Sequence, residues 1–256
     1  MSDWNSEQYL KFEAQRTQPA VDLASRVKID AKNILDLGCG PGNSTAVLRR
    51  RCPNARILGI DSSPDMIQKA RKTHSDLDFM LFDASGGIDG LNDTYDVIFS
   101  NACIQWIPNH NALIKSMMNK LTGGGMLAVQ VPTNGNSPLF RGISRIAADL
   151  KWGFDKAKLA HNEILPPEEY YNILAENSSG FDIWETSYYH SMPSHRSLLE
   201  WVKGTRLKPY LEKLSSENEK AAFEREVLDC AIAEYPVQNN GEIIFKFKRL
   251  FFTAVK

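Results

Sequence analysis

The stretch Ile34-Leu-Asp-Leu-Gly38-Cys-Gly40-Pro-Gly42-Asn-Ser-Thr45 runs an apolar strand into a turn with three glycines and then into a helix. A tight strand-to-helix turn would by itself explain one or two of these glycines. All three are needed where backbone with positive φ must bring bare N–H groups close to a ligand at a helix N-terminus. Asp61 ends the next apolar run, nineteen residues after Gly42, where a carboxylate can accept two hydrogen bonds from a ribose diol.

An acid there serves nicotinamide and adenosine ligands alike. What separates them is Asp36 inside the first strand, Asn43 where a dinucleotide fingerprint has its third glycine, and Asp83 after the third strand. This much negative charge repels a pyrophosphate and suits a ligand carrying an ammonium, a sulfonium and an adenine. The expected ligand is S-adenosylmethionine.

Outward from this turn, residues 33–131 alternate short apolar runs with amphipathic stretches. Strands are expected over 33–37, 56–60, 77–82, 95–100 and 126–131, and helices over 42–51, 64–73 and 109–121. Ser62 or Ser63 would cap the second helix with Pro64 in its first turn, and the cluster 122–125 would stop the third. This order predicts an α/β fold built on a doubly wound, mostly parallel sheet. Further on, 137–150 and 166–177 read as helices, and 181–189 and 243–255 as strands. Residues 195–235 between those strands are mostly helical and too many for a plain loop. The expected organisation is a single domain over 1–256, with an N-terminal lid helix in 1–32, a cofactor-binding core over 33–131 and a helical cap inserted at 193–240.

The composition bounds the function. Hydrophobic residues make up 43% of the 256, enough for a substantial core, and 30 basic against 31 acidic residues leave a charge of −1. That balance supplies no field for a nucleic-acid backbone or an anionic membrane, so neither partner is expected. Cys39, Cys52, Cys103 and Cys230 form no C-x-x-C pair and read as reduced thiols. Residues 1–16 have no apolar core of a signal peptide, and no uncharged run approaches a membrane span, which predicts a cytoplasmic protein. His110 and His195 have no partners at metal-ligand spacing, and no metal is expected.

Asp36-Leu-Gly-Cys-Gly-Pro-Gly42, Gly59-Ile-Asp61, Phe82-Asp83-Ala84 and Asp96-Val-Ile-Phe-Ser-Asn-Ala102 resemble the successive motifs of class I S-adenosylmethionine-dependent methyltransferases. Outside them, Asp3-Trp-Asn, Tyr9-Leu-Lys-Phe12, Arg16, Gln105-Trp106, Glu200-Trp-Val-Lys-Gly-Thr205, residues 207–209, Tyr235-Pro236 and Arg249-Leu-Phe-Phe252 resemble the trans-aconitate 2-methyltransferase family. The resemblance covers the chain from Asp3 to Val255. It implies Gly38 and Gly40 beside the methionyl part of the cofactor, Asp61 on the ribose hydroxyls with Ser62 beside them, Asp83 and Ala84 near the adenine, and Asn101 under the sulfonium.

It also implies that a carboxylate of a small polycarboxylic acid, trans-aconitate first among them, attacks the methyl group and leaves as a methyl ester. A carboxylate is already ionised at neutral pH, so no general base is assigned and catalysis should be positional. Arginine forks match carboxylates, which makes Arg16 and Arg206 the leading substrate contacts, followed by Arg141, Arg145, Lys203 and Arg249. Tyr9 and Arg16 could equally clamp the cofactor carboxylate. Trp106 would wall the transfer site or pack a helix. Cys103 reads as a small buried side chain rather than a nucleophile. Three other readings stay open: a methyltransferase for a different small acid, a non-catalytic S-adenosylmethionine-binding protein, and a nicotinamide-dependent oxidoreductase.

Overall fold

The structure, a computed structural model, describes residues 12–155 and 163–256. Tyr9 and the Asp3-Trp-Asn motif lie outside the described residues. In chain order the elements are α1 (Glu13–Ala24), β1 (Asn33–Leu37), α2 (Asn43–Arg51), β2 (Arg56–Asp61), α3 (Pro64–Thr73), β3 (Asp78–Leu81), β4 (Tyr95–Asn101), α4 (His110–Asn119) and β5 (Leu121–Pro132). They continue with α5 (Pro138–Ala147), α6 (Pro167–Asn177), β6 (Gly180–Met192), α7 (His195–Lys203), α8 (Lys208–Leu211), α9 (Glu217–Glu234) and β7 (Ile243–Val255).

The sheet order is β3-β2-β1-β4-β5-β7-β6. The pairs among β1 to β5 are parallel, with Asp36 opposite Gly59 and Phe99. Beside β5, Lys256 N–H bonds to Gly125 O and Thr133 N–H to Lys248 O, each at 3.0 Å, so β7 runs antiparallel. The strand order reverses between β1 and β4, and ligands of doubly wound sheets bind at such a switch point.

Local chemistry explains the helix starts. Ser63, not Ser62, caps α3: its hydroxyl accepts from Met66 N–H at 3.3 Å, with Pro64 opening the first turn. A reciprocal Ser216 and Glu219 box opens α9. His110 and His195 are each the first residue of a helix, bonded to Ile104 O at 2.8 Å and Tyr235 O at 2.7 Å. One expectation is corrected: the cluster at 122–125 does not stop a helix. The helix ends at Asn119, and the cluster lies inside β5 as an irregularity in its pairing, between Tyr95 opposite Leu121 and Val97 opposite Met126. Gly124, with φ +74°, takes the conformation this needs.

The chain divides into two compact units, the first of residues 1–132, 162–186 and 250–256, the second of 133–161 and 187–249. Strands β6 and β7 each give one part to each unit. The first unit's core gathers Leu37, Ile98, Ile114, Val129, Tyr170 and Phe252, all at most 2% exposed. The second packs α5 and α7 against α9 and holds the described part of the stretch expected to form the cap. Among the described residues no helix is long and apolar enough to cross a membrane.

Candidate active site

The glycine turn is pinned from below. Gly38 and Cys39 N–H both donate to Ile60 O, at 2.8 and 3.0 Å. Asp61 completes the anchorage: Oδ2 accepts from Gly40 N–H at 3.0 Å and Oδ1 from Ser63 N–H at 2.9 Å. One carboxylate thus holds the turn and the start of α3. Gly38, Gly40 and Gly42 have φ of +75°, +54° and +96°. A Cβ at Gly38 would overlap the Cys103 side chain, whereas one at Gly40 would meet nothing within 4 Å.

Over this turn lies a cavity lined by Arg16, Thr17 and Ala20 of α1, by residues 38–41, by Asn43 and Ser44, and by Asn101 at the end of β4. Arg16 is 7% exposed, and Asn101 Oδ1 is enclosed with no hydrogen-bond partner. Four of the expected site residues, Arg16, Gly38, Gly40 and Asn101, therefore share one cavity whose floor Asp61 holds. Ser62 is exposed; Asp83 is exposed and caps its own turn, Oδ1 accepting from Ser85 N–H at 2.9 Å, while Ala84 beside it is buried. Trp106 is half-buried in a 3-10 turn over Ile104–Trp106. Arg206 belongs to the second unit. Burial pushes the Cys103 thiol well above its ordinary range, which leaves no thiolate to act as a nucleophile.

Asp36 does not line the cavity. It is fully buried beneath the start of α2, where Ser44 and Thr45 hydroxyls both donate to Oδ2 at 2.7 Å. Its contribution to a ligand is therefore a field rather than a contact. In the sequence a small hydroxyl in the first turn of a helix is an ordinary sight, and only the strand acid beneath gives Ser44 and Thr45 a task. Burial raises the Asp36 carboxyl from 3.8 to about 6, against the two hydroxyls and with help from the Asp61 charge.

The sign of the consequence follows from linkage. An acid whose folded value is raised destabilises the fold wherever it is ionised, so the penalty is absent below about pH 4 and complete above about pH 6, amounting to about 3 kcal/mol. His190 works in the opposite sense on acidification, because burial and then Arg249 lower it to about 4. The informative quantity is thus the stability difference between wild type and Asp36→Asn, whose amide oxygen can still accept both hydroxyls. Denaturant unfolding at several pH values should show the variant gaining on wild type from pH 4 to 6.5 and then levelling. A difference independent of pH would remove Asp36 as a buried charge.

The residues present fit an adenosine ligand with an amino-acid tail. A glycine cradle, an enclosed amide oxygen and a buried guanidinium line one cavity at the switch point, over a turn that the Asp61 carboxylate holds. The family described as a methyltransferase domain matches residues 34–125. A solved phosphoethanolamine N-methyltransferase 2 from Haemonchus contortus shares the fold, with a TM-score of 0.59 at 17% identity over 98% of this chain and 56% of that one. Fold, turn and domain match together define a class I S-adenosylmethionine-dependent methyltransferase.

Two curated relatives narrow the class. The trans-aconitate 2-methyltransferase of Escherichia coli O139:H28 is 41% identical, and that of Enterobacter sp. strain 638 is 40% identical, each over 99% of this chain and 98% of the relative. The chain belongs to the trans-aconitate 2-methyltransferase family.

Proposed function

We propose that the protein esterifies a carboxylate of trans-aconitate, the acceptor named for its relatives. The observation that carries this reading is full-length identity of about 40% in both directions, which includes the parts of the chain outside the cofactor motifs. Bound S-adenosylmethionine supplies an electrophilic methyl group on a sulfonium. Asp61 accepts from the ribose hydroxyls, with Ser62 beside it, while Asp83 and Ala84 border the adenine. Backbone at Gly38 and Gly40 lies along the methionyl chain, and Arg16, in the same cavity, pairs with its carboxylate. Asn101 turns its amide oxygen toward the sulfonium, and the buried Asp36 adds negative potential from beneath.

The acceptor carboxylate needs no deprotonation, because its ordinary value lies near 4. The chain's task is to hold that oxygen in line with the methyl carbon and sulfur, and to keep water out. Attack neutralises a negative oxygen and a positive sulfur, so a dry site with fixed dipoles favours the step. Trp106 excludes water on the acceptor side in this reading.

Incubation with methyl-labelled cofactor and trans-aconitate should give a labelled product that loses its label in mild alkali, as a carboxylate methyl ester does. Mass spectrometry should find one added methyl group. A label that survives alkali would identify an N- or C-methyl product and overturn the carboxylate assignment.

A further inference from the structure

The chain leaves β4 through a constrained turn. Among the described residues, Ala102 and Asn109 are the two non-glycine residues with positive φ, +53° and +59°, and they bracket the turn that carries Gln105 and Trp106. Backbone of this kind persists only where its surroundings over-determine it. One end is fixed by the sheet: Ala102 N–H donates to Gln130 O at 3.0 Å, and Gln105 folds back so that Nε2 donates to Ala102 O at 2.7 Å. The Cys103 side chain lies against Gly38, where a Cβ would overlap it, so the turn rests on the glycine cradle.

The other end is fixed from residues 163–170 of the same unit. Glu163 N–H donates to Gln105 O at 2.9 Å, and its Oε2 accepts from Asn109 N–H at 2.7 Å. His110 grips the centre. It is fully buried, with Nε2 2.8 Å from Ile104 O, six residues back in the chain, and Nδ1 2.7 Å from the Tyr170 hydroxyl, and its ring stacks on Tyr170 at 5.6 Å. Burial lowers the imidazole from its ordinary value, so at neutral pH it carries one N–H. A carbonyl can only accept; that N–H is therefore on Nε2, and the Tyr170 hydroxyl donates to Nδ1. Tyr170, also fully buried, packs in turn on Phe252 at 5.3 Å. The start of α4 does not require this arrangement, because Asn109 already caps it, Oδ1 accepting from Ala112 N–H at 3.2 Å.

We propose that His110, aligned by Tyr170, is a positioning residue for methyl transfer: its Nε2–H holds Ile104 and thereby sets Trp106, two residues on, at the acceptor side. This rests on the proposed role of Trp106 in excluding water from that side, and adds to it what keeps the indole in place. Cofactor binding depends less on the pair, because Asn101 is held by the sheet, opposite Gln130.

The test is the single-turnover rate of ester formation by the full chain saturated with S-adenosylmethionine and trans-aconitate. A glutamine amide reaches the place of Nε2, an asparagine amide only that of Nδ1. His110→Gln should therefore stay within about fivefold of wild type, while His110→Asn should lose about 30-fold or more. Affinity for S-adenosylhomocysteine should stay within about threefold of wild type in both. Trp106→Ala should itself slow transfer about tenfold or more, and adding His110→Asn to it should cost less than about threefold further, because the residue acted through is gone. Should His110→Asn unfold, Tyr170→Phe keeps the ring against Phe252 and should still slow transfer about threefold or more, a loss that should vanish in the Trp106→Ala background. Losses that multiply in full when His110 or Tyr170 substitutions are combined with Trp106→Ala would mean that the pair serves the fold alone, and would overturn the proposal. Equal rates for His110→Gln and His110→Asn, or a Trp106→Ala variant as fast as wild type, would overturn it too. If wild type forms no ester from trans-aconitate, the proposed function falls and this inference with it.

Discussion

Asp61→Ala is expected to weaken binding of S-adenosylmethionine and of S-adenosylhomocysteine by about 100-fold or more. The size follows from the double engagement of this carboxylate. It accepts from Gly40 N–H and Ser63 N–H, and its removal leaves two part-buried donors unsatisfied while taking away the charged acceptor proposed for the ribose hydroxyls. A hydrogen bond to a charged group contributes about 1.5 to 3 kcal/mol, so losing two to the ligand accounts for a factor of about 100 before any loosening of the turn. Asp61→Asn separates the parts: an amide keeps the shape and one acceptor oxygen, so the fold should survive with an intermediate loss. Calorimetry on both variants decides the matter. Affinity within about threefold of wild type in Asp61→Ala would place the ribose elsewhere. The same substitution also removes a charge that raises Asp36, so the acid-dependent stability gap described above should narrow in an Asp61→Ala background.

How far the sequence could be read depends on the range of the contacts involved. The turn from Ile34 to Thr45 is legible because its chemistry is local: positive φ demands glycine wherever the chain is placed. Asp61 is legible because a strand end two elements on falls beside the first in any doubly wound sheet. By contrast, the residues at 122–125 read as a helix stop, since glycines in a row signal a break; only pairing with β4 reveals a strand that absorbs them as an irregularity. Lys203 and Arg206 look alike in the sequence, two cations near the end of one amphipathic helix. What separates them is Glu224, which lies twenty-one residues beyond Lys203 in the chain and meets its ammonium. Arg16 shows the same limit, because only the packing of α1 on α2 brings it into the cavity over the glycine turn. Long-range contacts of this kind assign roles that residue type and spacing leave open.

Gly38→Ala should lower activity about 100-fold and destabilise the fold by about 2 to 4 kcal/mol, and the reason can be isolated with a second site. Two effects add. At φ +75° an alanine pays the left-handed penalty of about 1 to 2 kcal/mol, and its Cβ would overlap both Cβ and Sγ of Cys103. Rotating the thiol relieves only the sulfur. The turn cannot retreat alone either, because Gly38 and Cys39 N–H are both fixed to Ile60 O. Either the turn shifts on the cofactor side or the chain at the end of β4, where Asn101 leads into Cys103, moves away; both misplace groups that line the cavity. Cys103→Ala leaves the offending Cβ in place and should not rescue Gly38→Ala. Cys103→Gly removes both atoms, and the next is Cys103 Cα at 3.6 Å, an ordinary contact. In a double-mutant cycle on thermal or denaturant stability, Gly38→Ala with Cys103→Gly should therefore show a favourable coupling of about 1 to 3 kcal/mol, leaving only the backbone penalty uncorrected. Activity should recover in the same order, glycine at position 103 above alanine. Equal impairment of the two double variants would mean that the left-handed backbone alone, and not the contact with Cys103, is what requires glycine at position 38.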